Sequence, residues 1–311
     1  MKGREISERF YREYGAPMIA EKFPELEGRA AVGLAGDGSE CLGYDDGVSR
    51  DHDFEPSFCI WLTKEDFEKY SFPLSRAYSS LPSEFLGLKR STATPTGGAR
   101  RGVLSTDEFY SRFLGSPSVP VSWEHWLSIP EHALRAATSG KVFRDDLGAF
   151  SAIREELKRG YPGDIRLKKL AAALVTAHQS GVYNYPRCLA HGERGAAKLA
   201  LFAFVKSISA AVYLLNNKYM PFYKWAFRGM RELEILPDLR ETLESLITAE
   251  SDDDIPAAIN GTVAKVSSAL ASEGLIADPY QTLEHSAYEI NNRIKDHSLR
   301  NESIFAGMIR D

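Results

Sequence analysis

The chain has 311 residues, of which 43% are hydrophobic and 26% are charged. This balance is that of a folded globular protein and excludes a disordered one, and the length favours two domains. The formal net charge of −5 argues against a partner bound through its phosphate backbone, since proteins that bind nucleic acid in this way usually carry a basic excess. Nucleic acid is therefore not a favoured partner.

The sequence shows no signal for secretion and predicts no membrane partner. Its three cysteines are scattered without a C-x-x-C pair, which is typical of free thiols in a reducing compartment. Residues 1–15 carry charges throughout and lack the apolar segment of a secretory signal. One apolar run, residues 196–215, is interrupted by Lys198 and Lys206, and a charge near the bilayer centre is costly. We expect this run to form a buried core helix and the protein to be cytoplasmic.

The N-terminal half of the sequence mixes helix and strand signals. Hydrophobic periodicity, apolar runs and turn residues predict its elements in chain order. They are a helix over 4–22, a strand over 30–36, a strand over 52–63, a helix over 64–81, a cationic loop over 89–102, a short strand over 103–106 and an extended segment over 140–150. Pro56 lies inside the second predicted strand and indicates an edge, a bulge or a break there.

From residue 151 onward the pattern changes to helical spacing alone. The predicted helices cover 151–161, 165–185, 193–217, 222–235, 237–249, 254–274 and 278–297. A mixed region followed by an all-helical region predicts an α+β fold. We therefore expect a mixed α/β domain over 1–150 and a helical bundle over 151–311.

Two acids precede the apolar run of the second predicted strand. Asp51 and Asp53 are two residues apart, so in an extended segment their carboxylates point to the same face, while His52 points to the other. Like charges held this close repel each other unless a cation neutralises them. Oxygen ligands suit Mg²⁺, which completes its coordination shell with substrate phosphates. The pair therefore predicts a metal site for a phosphate-bearing ligand.

Gly38 and Ser39 can hold the phosphates of that ligand. A glycine lets the backbone approach a phosphate closely, and the serine offers a hydroxyl and an N–H at a turn that opens a helix. Asp45 and Asp46, between this turn and the paired acids, lie in "GYDDGVS". That composition predicts a loop rather than direct metal contact.

This arrangement resembles a known signature. A Gly-Ser turn followed by Asp-x-Asp at the start of an apolar strand is similar to the signature of the nucleotidyltransferase superfamily, which includes DNA polymerase beta and the aminoglycoside nucleotidyltransferases. Two longer stretches, "GLAGDGSECLGYDDGVSRDHDFEPSFCIWL" and "LLNNKYMPFYKWAFRGMREL", resemble bacterial proteins that carry the domain of unknown function DUF4037. The resemblance covers most of residues 30–235 and implies a nucleotidyltransferase-like N-terminal domain.

The resemblance implies that a nucleoside monophosphate moves from an NTP, with ATP expected, to a hydroxyl-bearing acceptor while pyrophosphate leaves. Asp51 and Asp53 would hold two Mg²⁺ ions and act as the catalytic acids, and Gly38 and Ser39 would position the β- and γ-phosphates. The acceptor is a small molecule or a macromolecule, and the acidic net charge favours the small molecule.

Two cations have both a nucleotide-binding and a structural interpretation. Arg50 either contacts a phosphate or neutralises its acidic neighbours. Lys224 either places its charge on the triphosphate, as the resemblance implies, or belongs to a helix start with aromatic packing. Both are predicted nucleotide-binding residues.

A third carboxylate, which the superfamily usually supplies from a neighbouring strand, is not evident. The strand "GVLST" contains no acid, and Asp107 and Glu124 are the candidates for it. This departure favours an alternative, a catalytically silent nucleotide-binding or regulatory module on the same fold. A metal phosphohydrolase built on His52 and Asp53 ranks below both, because it would need further ligands on helices.

Overall fold

The computed structural model describes residues 1–47, 55–90, 100–280 and 282–309. The fold is α+β, as the sequence predicts. Its strands are β1 (Ala31–Leu34), β2 (Cys59–Leu62), β3 (Glu84–Phe85), β4 (Leu88–Lys89), β5 (Gly102–Ser105) and β6 (Lys141–Arg144). No strand follows β6 within the ranges given above.

The helices of the N-terminal half are α1 (Gly3–Phe10), α2 (Ala16–Lys22), α3 (Ser39–Leu42), α4 (Lys64–Ser79), α5 (Thr106–Leu114), α6 (Trp123–Ser128), α7 (Glu131–Thr138) and α8 (Ala149–Lys158). The later helices are α9 (Gly163–Ala177), α10 (Tyr185–Ala190), α11 (Arg194–Leu215), α12 (Tyr223–Met230), α13 (Leu239–Thr248), α14 (Ile255–Ser272), α15 (Leu283–Asn292) and α16 (His297–Asn301). The segments Tyr11–Gly15 and His178–Asn184 are π-helical and join α1 to α2 and α9 to α10.

The four longer strands form one sheet in the order β5-β2-β1-β6. Strand β1 runs antiparallel to β2 and β6, and β5 runs parallel to β2. Cys59 pairs with Gly33 on one side and with Gly102 on the other, and Leu34 pairs with Lys141. The end of β1 and the beginnings of β2, β5 and β6 therefore meet at one edge of the sheet, which we call the bend edge.

Strand β2 is the centre of the N-terminal core. All four of its residues are buried, which explains its unbroken apolar run, because a strand covered on both faces has no solvent side. On one face Ile60 and Leu62 belong to a cluster with Phe10 of α1. On the other face the Trp61 ring stacks on Phe150 of α8, with ring centroids 3.9 Å apart.

The chain separates into two compact units. The first unit, Met1–Pro120 with Ala133–Arg159, contains the sheet, and the second, Val121–His132 with Gly160–Asp311, contains α9 to α16. The domains predicted over 1–150 and 151–311 stay predictions.

Helix α11 is the apolar run of the sequence. By length and composition it could cross a membrane, but 67% of its most apolar window is buried in the protein. Its buried residues include Leu201, Phe204 and Ile208, so it packs as a core helix does. The expectation of a buried helix over this run is met.

The structure differs from the predicted elements between residues 106 and 138, where it has the short helices α5, α6 and α7. With six to nine residues each, they are too short for a clear hydrophobic period. The structure also begins β2 at Cys59 rather than at residue 52 and ends α12 at Met230 rather than at 235. The segment 278–297 holds α15 and the start of α16 instead of one helix.

We predict that Gly140→Ala destabilises the protein far more than Gly148→Ala. Both glycines have positive φ, +81° and +74°, but a Cβ at Gly140 would collide with the backbone oxygen of Leu34, whereas a Cβ at Gly148 meets nothing. Backbone strain alone costs about 1–2 kcal/mol, and we expect Gly140→Ala to cost more than about 4 kcal/mol. Urea unfolding of the full chain measures both, and equal losses would contradict the close approach of β1 and β6.

Candidate functional site

Strand β1 leads into a sharp bend that contains the predicted Gly38 and Ser39. Gly36 and Gly38 have φ of +108° and +124°, a region of backbone conformation that side chains disfavour. A Cβ at Gly38 would also collide with the Glu40 carboxylate. Ser39 is the first residue of α3. The sequence Gly36-Asp37-Gly38 is thus required by the backbone geometry of the bend.

The bend is held by the residues that precede β6. The Ser139 hydroxyl donates a hydrogen bond of 2.7 Å to the carbonyl oxygen of Gly36. The Gly140 N–H donates one of 2.7 Å to the carbonyl oxygen of Cys41. Both ends of the segment from Gly36 to Cys41 are therefore hydrogen-bonded to Ser139 and Gly140, the two residues directly before β6.

Arg101, the residue before β5, holds the bend from the other side. Its guanidinium donates to the carbonyl oxygens of Ala35 at 3.3 Å and Asp37 at 3.4 Å. It also forms an ion pair with Glu40, and each of these two side chains is only 12% exposed. The sequence predicts a cationic loop over 89–102 but does not single out Arg101 as a residue that holds the bend. Arg101 is a structural cation, since its donors are directed at the bend.

Cys41 lies beneath this contact and is fully enclosed. Its Sγ is 3.4 Å from the Arg101 guanidinium. Burial raises the pKa of the Cys41 thiol to about 12, against the opposing effect of the Arg101 charge. Burial also raises the pKa of Cys59. Because the thiolate is the reactive form, neither cysteine is suited to nucleophilic chemistry.

A cleft of about 430 Å³ opens beside the bend. Its walls are the bend itself, the start of β5 and one face of α5. The lining residues that matter here are Asp37, Arg100, Phe109, Arg112 and Phe113. Asp37 and Arg112 close part of it with an ion pair of 3.0 Å. Guanidinium groups can bind phosphates, and the rings of Phe109 and Phe113 lie almost buried in the wall of the cleft.

The predicted metal ligands Asp51 and Asp53, together with Arg50 and His52, lie outside the described residues. The chain is described again from Glu55, which leads into β2 at the bend edge. Glu40 and Glu55 line a small cavity there with Arg101. Carboxylate oxygens are the donors that Mg²⁺ prefers. Glu55 brings one carboxylate to this edge, whereas Glu40 is neutralised by Arg101.

Within residues 1–47, 55–90, 100–280 and 282–309, no three His, Cys, Asp or Glu side chains converge as a metal site. The sequence does not single out Glu55 as a site residue. It is nevertheless the third acid at alternate positions after Asp51 and Asp53, and this spacing is the signal that points to it.

The candidates for a third carboxylate lie elsewhere. Asp107 is in the first turn of α5, beyond the Ser105 end of β5. Because β5 is parallel to β2, this end is opposite the bend edge. Glu124 is in α6, in the second compact unit. Asp107 is therefore at the end of the sheet opposite the residues that lead into β2.

Asp45 and Asp46 lie in an irregular loop, as their composition predicts. Asp45 is buried and accepts a hydrogen bond of 2.9 Å from the Gly3 N–H, and Lys2 lies beside it. Asp46 is exposed. Asp45 therefore fastens the loop to the N-terminus of α1.

Lys224 lies in the first turn of α12, in the second compact unit. It is exposed, and its ammonium is 5.6 Å from the centre of the Trp225 ring. This contact agrees with the structural interpretation of Lys224, in which it belongs to a helix start with aromatic packing. Its predicted role on the triphosphate stays a prediction.

Comparison with known proteins gives one match. Residues 126–226 match the family model described as "Domain of unknown function (DUF4037)". This supports the DUF4037 part of the resemblance. The DUF4037 match runs from Trp126 in α6 to Ala226 in α12, so it includes Lys224 and excludes the bend. No curated protein and no solved structure matches the chain.

We predict that Cys41 makes the protein less stable in alkali. Its raised pKa means that its contribution to stability is fully present below its ordinary value of 9.0 and is lost as the pH rises towards about 12. Cys41→Ala should therefore show a smaller loss of unfolding free energy than wild type between about pH 7 and about pH 10.5. Urea unfolding at the two pH values measures this.

The control is Cys188→Ala, which removes a partly exposed thiol outside the bend and measures the effect of losing a cysteine side chain elsewhere in the protein. An undiminished pH dependence in Cys41→Ala would show that Cys41 ionises freely in the folded protein.

Proposed function

We propose that the protein is a Mg²⁺-dependent nucleotidyltransferase. In the reaction an acceptor hydroxyl oxygen forms a bond to the α-phosphorus of an NTP, and the bond between this phosphorus and the bridging oxygen of pyrophosphate breaks. ATP is the expected donor, and the acidic chain favours a small acceptor over a nucleic acid.

The observation that carries the proposal is the shared bend edge. The Gly38–Ser39 bend ends β1, and Glu55 leads into the adjacent antiparallel strand β2 at the same edge. Asp53 is two residues before Glu55 in sequence, and two residues of chain span at most about 7 Å. This connectivity supports a site in which the paired acids face the bend.

The cleft beside the bend supports a nucleotide as the ligand. Arg100 and Arg112 bring guanidinium groups to its wall, where Arg112 also pairs with Asp37, and the almost buried rings of Phe109 and Phe113 line it. Arg101 is already committed to the bend, so we assign it to positioning the backbone of Gly38 and Ser39 rather than to the ligand. The bend would then present the backbone N–H of Ser39 and its hydroxyl to phosphate oxygens.

The carboxylates have a division of roles in this proposal. Asp51 and Asp53 would hold Mg²⁺, and Glu55 is the described acid closest to them in sequence. Mg²⁺ when bound neutralises phosphate charge and orients the reacting groups. Arg50 and Lys224 remain proposed contacts of the triphosphate.

We predict that the protein releases pyrophosphate from an NTP in the presence of Mg²⁺ and an acceptor-containing cell extract. Asp51→Asn and Asp53→Asn should each lower the rate by at least about 100-fold, because each removes a charged ligand of the proposed ion. Purified protein is incubated with each NTP, and pyrophosphate and phosphate are measured separately. ATP binding is measured in parallel by calorimetry.

The matched control is Asp46→Asn, which changes an exposed acid of the preceding loop and should leave the rate unchanged. ATP binding without pyrophosphate release would contradict transfer and support the silent module. Release of phosphate in place of pyrophosphate would indicate a hydrolase. Loss of rate in all three variants alike would argue against a specific role for Asp51 and Asp53.

A further inference from the structure

The second compact unit contains a pocket of about 380 Å³. Helices α11 and α12 and the segment before α12 form its walls. Most of the lining is aromatic or aliphatic, and the residues that define it are Phe202, Val205, Met220, Phe222, Tyr223 and Phe227. Its volume falls in the range of about 300–1,000 Å³ that small-molecule sites occupy.

Several large apolar side chains of this pocket are partly exposed to solvent. Phe202 and Phe222 are each 46% exposed, and Tyr223 is 77% exposed. Large apolar patches exposed at a protein surface mark sites of ligand or partner binding. A ligand that covered these rings would remove apolar area from water at about 25 cal/mol per Å².

One buried carboxylate among these residues has an unusual environment. Glu131, at the start of α7, lines the pocket and is 3% exposed. Its Oε1 lies 2.8 Å from the ammonium of Lys169, which is fully buried. Its Oε2 has no hydrogen-bond partner in the part of the chain that the structure describes. A buried acceptor without a donor is costly, so a donor supplied by a ligand would be favourable.

The charges around Glu131 decide which donor fits. Lys169 already neutralises the carboxylate. A ligand ammonium or carboxylate would therefore lose its hydration beside a pair of charges that is already balanced, which is costly. A neutral hydroxyl group satisfies Oε2 and adds no charge to a low-dielectric site.

We propose that this pocket binds a small, mainly apolar molecule whose hydroxyl group donates a hydrogen bond to Glu131 Oε2. The apolar part packs on Phe202, Phe222 and Tyr223. This goes beyond the proposed nucleotidyl transfer, because it requires neither a nucleotide nor a metal ion.

The test uses three probes of one shape and different charge: 3-phenylpropan-1-ol, 3-phenylpropylamine and 3-phenylpropionate. Each is titrated into the full-length protein, and the dissociation constant is measured by NMR. We expect the alcohol to bind at least about fivefold more tightly than either charged probe.

Two substitutions on α11 locate the site. Phe202 lines the pocket, whereas Leu199, on the same helix, is 71% exposed and does not. Phe202→Ala should weaken binding of the alcohol about tenfold, because it removes an aromatic wall. Leu199→Ala should change it less than about twofold. Both positions are exposed enough that neither substitution threatens folding.

The role of Glu131 is tested by the preference of the wild-type protein for the alcohol over the two charged probes. The substitution Glu131→Gln is avoided because it would leave the buried Lys169 without its counter-charge. Tighter binding of the alcohol together with its loss in Phe202→Ala supports the proposal. No binding of the alcohol to wild type, tighter binding of the amine or the propionate, or equal effects of the two substitutions would overturn it. The assay contains no nucleotide or metal, so its outcome is independent of the pyrophosphate assay.

Discussion

The ion pair between Arg101 and Glu40 is the constraint on which the candidate site depends. It is almost enclosed, and the same guanidinium donates to two carbonyl oxygens of the bend. Loss of one partner of a buried pair costs about 3–5 kcal/mol, because the other charge is left without compensation. The pair therefore fixes the Gly38–Ser39 bend to the start of β5. The bend needs positive φ at Gly36 and Gly38, which glycine adopts without strain.

The strand order of the sheet brings the other residues of the candidate site to this contact. Strand β1 ends where β2, β5 and β6 begin, so the bend, Glu55, Arg101 and Gly140 come together from distant parts of the sequence. The same edge borders a cleft with guanidinium groups and aromatic rings. The second unit carries a different chemistry, a mainly apolar pocket with one carboxylate neutralised by Lys169. We propose different ligands for the two sites, a nucleotide at the bend edge and a neutral alcohol in the second unit.

The sequence predicts the fold class and the positions of β1, β2, β5 and β6, because apolar runs and turn residues are local signals. It does not predict α5 to α7, which are too short to show a period. Nor does it reveal which cation of the loop over 89–102 is buried, since that follows from the parallel pairing of β5 with β2, a contact between distant segments. The sequence predicts Gly38 for the close approach of a phosphate. It does not predict the positive φ of Gly38 or the packing of Gly140 against the backbone of Leu34, because both follow from contacts in the folded chain. Asp51 and Asp53 stay predictions.

The central claim is that a metal–nucleotide site lies at the edge where β1 ends and β2 begins. Paramagnetic broadening by Mn²⁺, used in place of Mg²⁺ with ATP, tests it most directly in an NMR spectrum with assigned backbone amides. The account predicts ATP-dependent broadening of the amide signals of Gly36, Gly38 and Ser39, with weaker effects at Leu62 and Ser105, at the opposite edge of the sheet. The account would be contradicted if broadening were strongest at Leu62 and Ser105, or if it were the same with and without ATP.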